Sequence, residues 1–524
     1  MKNISQQLFR IKDLNTIMAE SHDPARRLKK SLGAFDLVLL GIGVIIGAGI
    51  FTTVGTAVAG DASRLGAGPG LILSFAITAV ACGFAALCYA ELASLVPISG
   101  SAYTYSYASF GELVAWIIGW DLMCEYTVGS IAVAISWSGY FVGFLRGFGI
   151  ILPPWCTTDF RSAMHGYQQA VNSGLPFEKL DPALQHAWNA VQGAPHIFGM
   201  PIVCNISAAL IIALLTVILV IGIRASSRFN IVIVTIKLLV LAFFVALGSF
   251  YVKPENWVPF APNGFAGIRA GAAAAFFAYI GFDAVSTVAE ETHNPKRDLP
   301  IGIIGSLIVC TIVYMVVSAV FTGMVPFSII QTAGVSDKAE SLAFAMRHVD
   351  LGWAAGIVAA GSLVALTAVL LVLQLGQARI FFSMSRDGLM PAVFSRVHPR
   401  FKTPHINTII IGFVVALFAS FANIDEMVDL TNIGTLFAFA LVCFGVIILR
   451  IKEPHRHRTF KVPFNPITPL LGVAACVFLM YSLPAVTWLR FVVWLMIGLV
   501  IYFTYSFRHS LLHKHPHHHP HKTE

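Results

Sequence analysis

Three kinds of group in this 524-residue chain are equipped for chemistry: an ammonium, two carboxylates, and backbone amides and carbonyls freed by glycine. Lys237 lies in an otherwise apolar run from Phe229 to Phe250. The run begins after Arg228, so at about 1.5 Å per residue a helix carries Lys237 roughly 14 Å into a hydrocarbon layer of about 30 Å. A charge near the midplane is costly unless it is paired, neutralised or hydrated, which makes Lys237 a candidate functional group. Satisfaction by neighbouring carbonyls, a structural role, is the alternative. Glu125 and Asp283 also fall inside apolar runs. Each can receive a substrate's distal cation, join a proton relay, or pair with a buried hydroxyl or lysine. Asp121, four residues before Glu125, shares its helical face.

The backbone groups come from two segments. Gly41-Ile42-Gly43-Val44-Ile45-Ile46-Gly47-Ala48-Gly49-Ile50-Phe51 places four glycines within nine residues near mid-membrane. Each interior glycine costs a helix about 1 kcal/mol relative to alanine. The cluster either packs tightly through Gly43 and Gly47 or marks an unwound stretch. A nucleotide-binding glycine loop is excluded, because no strand precedes the segment and its surroundings are apolar. The second segment is Phe276-Phe277-Ala278-Tyr279-Ile280-Gly281-Phe282-Asp283, again with a glycine and a carboxylate in mid-span. Amides freed at such breaks suit a carboxylate and freed carbonyls suit an ammonium, so paired breaks can hold both ends of an α-amino acid.

The elements that must position these groups are membrane helices. The chain is 57% hydrophobic and 11% charged, with mean hydropathy +0.78, against about 25% charged residues in globular domains. Apolar runs of spanning length lie near 35–59, 69–92, 111–145, 201–222, 229–250, 267–289, 300–324, 353–384, 406–422, 427–449, 467–485 and 488–507, which predicts twelve helices. Of the 34 lysines and arginines, 24 fall on the side that holds both termini and nine on the other. Both termini are therefore expected in the cytoplasm of a multi-pass cell-membrane protein. This distribution, with bases beside apolar spans, also explains the net charge of +8 without a nucleic-acid partner. Residues 1–33 are polar and basic and the first run is long enough to span, so it is expected to serve as its own signal. The first and sixth runs match if 34–250 and 266–450 are two five-helix repeats, and odd-numbered repeats must be inverted.

The periphery carries less information. Segment 147–200 reads as an extracellular loop, and Cys156 and Cys204, at or near that side, are candidates for a disulfide. The other cysteines lie in predicted helices. The tail 508–524 is cytoplasmic and histidine-rich, and a disordered tail or an expression artefact is preferred to a metal site. Glu290, Glu291, Lys296, Arg297 and Asp298 read as a solvated or gating cluster. No HExxH or GxSxG motif and no paired catalytic set is present, so neither an enzyme nor a cofactor is expected.

GIGVIIGAGIF at 41–51, PISGSAYTY at 97–105, GFDAVSTVAEETHNPKRDLPIGI at 281–303, SRDGLMP at 385–391 and TPH at 403–405 occur together. With these motifs, the chain resembles the amino acid, polyamine and organocation transporter superfamily over about 30–507. It is most similar to the cationic amino acid transporters and the bacterial proton-coupled permeases grouped with them. The resemblance implies an all-α membrane protein with a five-plus-five inverted repeat of the LeuT type, broken first and sixth helices, and two further helices at 467–507. It implies a substrate carboxylate on amides around Gly47, Ala48 and Gly49, and an α-ammonium facing carbonyls of Ile45, Phe277, Ala278 and Ile280, with Ile46 also among the substrate-binding residues. Phe277 would be an aromatic gate, and Lys237 would stand where sodium-coupled relatives hold an ion, so coupling would be to protons. A proton-coupled L-amino acid importer is expected. The alternatives are a carrier or exchanger of arginine, lysine or ornithine using Glu125 or Asp283, and an amino acid-sensing receptor or membrane subunit of a larger assembly. A small subunit, lipid or sterol would leave no readable motif.

Overall fold

The computed structural model describes residues 8–11, 32–61, 64–96, 101–222, 227–401 and 403–511. Most of the N-terminal segment, the first four residues of the 97–105 motif and the histidine tract from 512 lie outside the described residues. Each of the twelve apolar runs is helical. The first comprises α1 (Ala34–Ile45), α2 (Ala48–Phe51) and α3 (Thr53–Ala59). After it come α4 (Leu71–Leu95), the short α5 (Ser101–Ser109) and α6 (Glu112–Gly147). Between α6 and α9 stand α7 (Phe160–Ser173) and α8 (Pro182–Gln192). Then follow α9 (Ile206–Ile221), α10 (Ser227–Gly248), α11 (Gly264–Ala275) and α12 (Pro295–Met324). Three short helices, α13 (Phe327–Thr332), α14 (Val335–Ala339) and α15 (Ser341–His348), form a lid before α16 (Gly352–Arg386). The chain closes with α17 (His405–Phe421), α18 (Ile424–Lys452), α19 (Ile467–Tyr481) and α20 (Ala485–Ile501).

Eight of these helical stretches are long and apolar enough to cross a membrane, and four apolar helices are shorter. This is an all-α, multi-pass membrane protein. The helix α6 is a single unit of 36 residues, not two shorter segments, and α16 has 35. At about 1.5 Å per residue both exceed the hydrocarbon thickness and must tilt or project beyond it. They pack along each other, and α18 packs on α6.

Helix ends are set by local chemistry. The side chain of Asn205 accepts the Ala208 amide at 3.1 Å and starts α9. Asn423 accepts the amides of Asp425 and Glu426 at 2.9 and 3.3 Å and starts α18. Helix α20 lies largely at the periphery and docks by indole chemistry. Trp120 stacks on Trp494 with centroids 4.4 Å apart, and the indole N–H groups of Trp116 and Trp120 donate to the carbonyls of Gly498 and Trp494 at 2.9 Å.

Segment 147–200 is folded rather than irregular. Helices α7 and α8 enclose a small core of Ala163, Ala190, Val191, Ala194 and Val203 with Trp155, Phe160, Met164 and Tyr167 against it. Their alanine-lined faces are amphipathic at helical spacing, a pattern easily lost in a polar stretch. This cap docks on the start of α18, where Arg161 meets both carboxylate oxygens of Glu426 at 2.7 Å and Asn423 donates to Ser162 Oγ at 2.9 Å.

Both described terminal segments meet at the opposite end of the bundle. The amide of Glu112 donates to the Arg10 carbonyl at 3.1 Å, and the Leu511 amide donates to the Asp387 carbonyl at 3.1 Å. Nearby, the buried Glu91 of α4 gathers two guanidinium groups. Arg450 donates to its two oxygens at 2.9 and 2.5 Å, Arg458 approaches at 3.2 Å, and the Val462 amide donates at 2.7 Å. Removing one partner of such a buried set leaves the others uncompensated, at about 3–5 kcal/mol. Glu91→Ala is therefore expected to lower the thermal unfolding midpoint of the detergent-solubilised protein sharply, with Glu91→Gln intermediate. An unchanged midpoint in Glu91→Ala would show that the staple is not stabilising.

Candidate substrate site at two helix breaks

The first break separates α1 from α2. Ile46 is extended (φ −72°, ψ 100°), and Gly47 takes φ −152°, ψ −143°, outside any helix. The second break follows a short 3-10 turn, Phe276–Tyr279. Ile280 is extended and Gly281 has φ 115°, a left-handed conformation that favours glycine, before a further 3-10 stretch from Phe282 to Glu291. Both sequence-predicted interruptions are present, and the structure brings them together. A Cβ on Gly49 would collide with the backbone of Ala278, so only glycine allows this approach. The glycine cluster therefore serves the close approach and the unwinding at once.

A broken helix leaves terminal amides and carbonyls without intrahelical partners, and hydrocarbon offers no water to satisfy them. Lys237 meets that need on the carbonyl side. Its Nζ, fully buried, donates to the carbonyl of Gly43 at 2.7 Å and to that of Ile46 at 3.0 Å. A cation at the C-terminal end of α1 also suits the helix dipole. The first-turn amides of α2, around Gly47, Ala48 and Gly49, are donors that by helix geometry lack intrahelical acceptors. The Val369 side chain of α16 stands over Gly47, 3.0 Å from where a Cβ would lie.

Tyr314 of α12 is the residue that sequence reasoning missed. Its hydroxyl lies 2.9 Å from the Ile45 carbonyl and 2.8 Å from the Ala278 carbonyl, bridging the two breaks. Two of the four carbonyls expected to face an ammonium are thus engaged by a phenol in this structure. The available signal is the lone tyrosine of α12, which shares that apolar helix with the hydroxyls of Ser306, Thr311, Ser318 and Thr322 and is not distinguished from them by position alone. Phe277 is buried beside these groups.

Glu125, Asp283 and Asp121 are all buried. Glu125 interacts electrostatically with both of the other carboxylates, so the three form one acidic band from α6 to the second break. Both Asp121 oxygens, both polar atoms of Gln374 and the hydroxyls of Tyr89 and Tyr105 are buried without a hydrogen-bond partner among the described residues. The expected cluster at the end of the sixth run is only partly represented, because the Glu290 side chain is outside the described residues. There the chain entering α1 pairs with the chain leaving the second break. Leu32 N donates to Glu291 O at 3.1 Å, and His293 N donates to Leu32 O at 2.9 Å.

At the cap end, α2 and α3 are tied to three neighbours. Tyr140 of α6 donates to the Phe51 carbonyl. Ser341 of the lid donates to the Thr52 carbonyl at 2.8 Å and accepts the Gly55 amide at 2.9 Å. Beyond α3, Arg64 pairs with Asp429 at 2.7 Å and approaches Asp425 at 3.6 Å. Glu340, next to Ser341, is buried against Gly143 of α6 and receives a 2.7 Å bond from Arg347. Burial pushes its carboxyl up to about 7, with Arg347 opposing and Asp337 adding to the rise.

Comparison with known proteins agrees with this geometry. A family model described as amino acid permease matches residues 32–504. The chain is 46% identical over 499 residues to the branched-chain amino acid permease BcaP of Bacillus subtilis strain 168, covering 95% of this chain and 97% of that protein. It is 44% identical to the methylthioribose transporter of the same organism, covering 95% of this chain and 98% of the relative. It is 35% identical to human cationic amino acid transporter 4, covering 86% of this chain and 64% of that protein. The matched family and these relatives are transporters rather than enzymes. With paired helix breaks inside an apolar bundle and a family match over nearly its whole length, the chain belongs to the amino acid permease family of the amino acid, polyamine and organocation superfamily.

Proposed function

We propose that this permease is a proton-coupled importer of L-amino acids that works by alternating access. Its crossings would be twelve, arranged as inverted repeats 34–250 and 266–450 with two helices at 467–507. Both termini would be cytoplasmic in a plasma or inner membrane, and the cap and lid would face outward. One observation carries the reading: the ammonium of Lys237 is held by the Gly43 and Ile46 carbonyls at the break. The break that would bind substrate is therefore built on a group whose charge can change. Loss of its proton weakens both bonds, which links protonation to the shape of the break.

In this mechanism the substrate carboxylate lies on the amides around Gly47, Ala48 and Gly49, whereas the Ile46 amide donates to the Ile42 carbonyl at 2.9 Å and stays with α1. The ammonium faces the carbonyls of Ile45, Phe277, Ala278 and Ile280, and displaces or shares the Tyr314 hydroxyl. Phe277 covers the substrate. Alternating access then requires the ties at the two ends to break in turn: Arg64 with Asp429, Tyr140 with Phe51 and Ser341 with Thr52 on the outside, and Leu32 with Glu291 and His293 on the inside. The name of the branched-chain relative favours a neutral, apolar side chain. A second reading, a carrier of cationic amino acids, draws on the acidic band of Glu125 and Asp283.

Proteoliposomes containing this chain alone, with an inward proton gradient and no sodium, are expected to accumulate leucine, isoleucine or valine. A panel including arginine, lysine, ornithine and methylthioribose tests the choice. Accumulation confined to the basic amino acids would establish the cationic reading, and binding without movement would make the protein a receptor or subunit. Lys237→Ala should abolish gradient-driven accumulation and weaken equilibrium substrate binding less severely, the residual loss reflecting the Gly43 and Ile46 carbonyls left without their donor. Full accumulation in that variant would remove Lys237 from coupling.

The lid should respond to acid outside. An exposed glutamate titrates at about 4.3, whereas in the docked lid Glu340 is pushed up to about 7. Arg347 and Asp337 face it from the lid, Arg146 and Tyr140 from α6, and His186 of the cap lies in the same charged neighbourhood. Between those two pH values the docked lid holds a proton that the undocked lid releases, so acid favours docking and the advantage is lost as pH rises through about 7. Hydrogen exchange of residues 335–348, measured in wild type relative to Glu340→Gln at each pH, is expected to show protection falling as pH rises from about 4.3 to about 7 and levelling off above it. A ratio independent of pH would contradict the assignment.

A further inference from the structure

The cap contains the two cysteines that the transport mechanism does not use. Cys156 ends a 3-10 turn, Pro154–Cys156, at the entrance to the cap, and Cys204 lies two residues before α9, where the chain leaves it. The amide of Cys204 donates to the carbonyl of Trp155 at 2.9 Å. That bond joins the peptide units on which both cysteines sit, and so brings their Cα atoms toward the separation of about 4.4–6.8 Å that a disulfide requires. Both residues are half-buried, and the other six cysteines are buried. Burial pushes both thiols up, and the Cys204 sulfur adds to the rise at Cys156, so the two sulfurs are near enough to interact.

We propose that Cys156 and Cys204 are an oxidation site and form a disulfide that closes the base of the cap. Two thiols lose two protons and two electrons as the S–S bond forms. The electrons reduce an external disulfide, either that of a small thiol or that of a thiol oxidoreductase, to its two thiols. The Cys156 sulfur, now 3.0 Å from the Pro153 carbonyl, turns from that oxygen to its partner. The bridge fixes the two strands on which α7 and α8 stand, and holds Arg161 and Ser162 in register with Glu426 and Asn423 at the start of α18. It rests on the proposal that the cap faces the outside, where such oxidants act.

The test uses the full-length protein in its native membrane. Free thiols are blocked with N-ethylmaleimide under acid quench, and the protein is purified without reductant and digested. The expected product is one linked peptide pair containing Cys156 and Cys204, lighter by two hydrogens than the two thiol peptides and separated by dithiothreitol. In Cys156→Ser, Cys204 should become reactive to a membrane-impermeant maleimide on intact cells. Two alkylated cysteines in unreduced wild type would overturn the bridge. Labelling that requires inverted vesicles, with the linked pair still present, would overturn the outward orientation and leave the bridge standing.

Discussion

Interrupting a helix inside hydrocarbon strands backbone carbonyls and amides that water cannot reach, and the architecture around the site answers that constraint. The carbonyl end of α1 is met by the ammonium of Lys237, and the facing carbonyls of Ile45 and Ala278 by the hydroxyl of Tyr314. These two side chains arrive from α10 and α12, so the break is stable only when four helical segments are assembled around it. Neither half of the site could hold its shape in isolation. The lysine is in turn tolerated at full burial because the break supplies the acceptors it needs. Charge and break each remove the other's penalty.

The same economy governs the ends of the bundle. Instead of leaving α2 and α3 to be steadied by packing alone, the fold ties their exposed carbonyls and amides to single hydroxyls on α6 and the lid. Each tie is one or two hydrogen bonds, with a net contribution of about 1 kcal/mol apiece. A set of small, separable contacts is suited to a part that must move, whereas a large apolar seam would hold it fast. The contrast is with Glu91, whose two guanidinium partners and amide fasten α4 to the last turn of α18 and the segment after it. Strong, buried and multiply satisfied, that cluster would belong to a part that stays still in the proposed mechanism.

The relation to a branched-chain amino acid permease and to a methylthioribose transporter, at nearly equal identity, shows how little of the frame dictates the cargo. Under the proposed mechanism the breaks would recognise what substrates share, and the side chains around them would decide the rest. Val369 stands over Gly47, and Phe277, Glu125 and Asp283 are buried. In that mechanism, apolar groups and carboxylates are the two chemistries on which the choice between a neutral and a cationic side chain turns.

The sequence by itself determined the membrane class and the approximate place of every apolar helix, because burial in lipid needs runs of a length and polarity that composition records directly. It also marked where helices can break, at the glycine cluster around Gly47 and at the single Gly281, although at the first it left tight packing open as the alternative until the structure showed the backbone unwound. It marked Lys237 through the cost of a charge at mid-membrane. Only the tertiary structure decided which carbonyls satisfy that lysine, because Gly43 and Ile46 are nearly two hundred residues away and carry no side-chain signature. Tyr314 stayed hidden for the same reason, as a phenol in an apolar helix becomes informative only when its hydroxyl is seen to bridge two breaks. The cap was read as a loop because its helices bury mostly alanine, an apolar signal too faint to distinguish folded from irregular chain until the two faces meet.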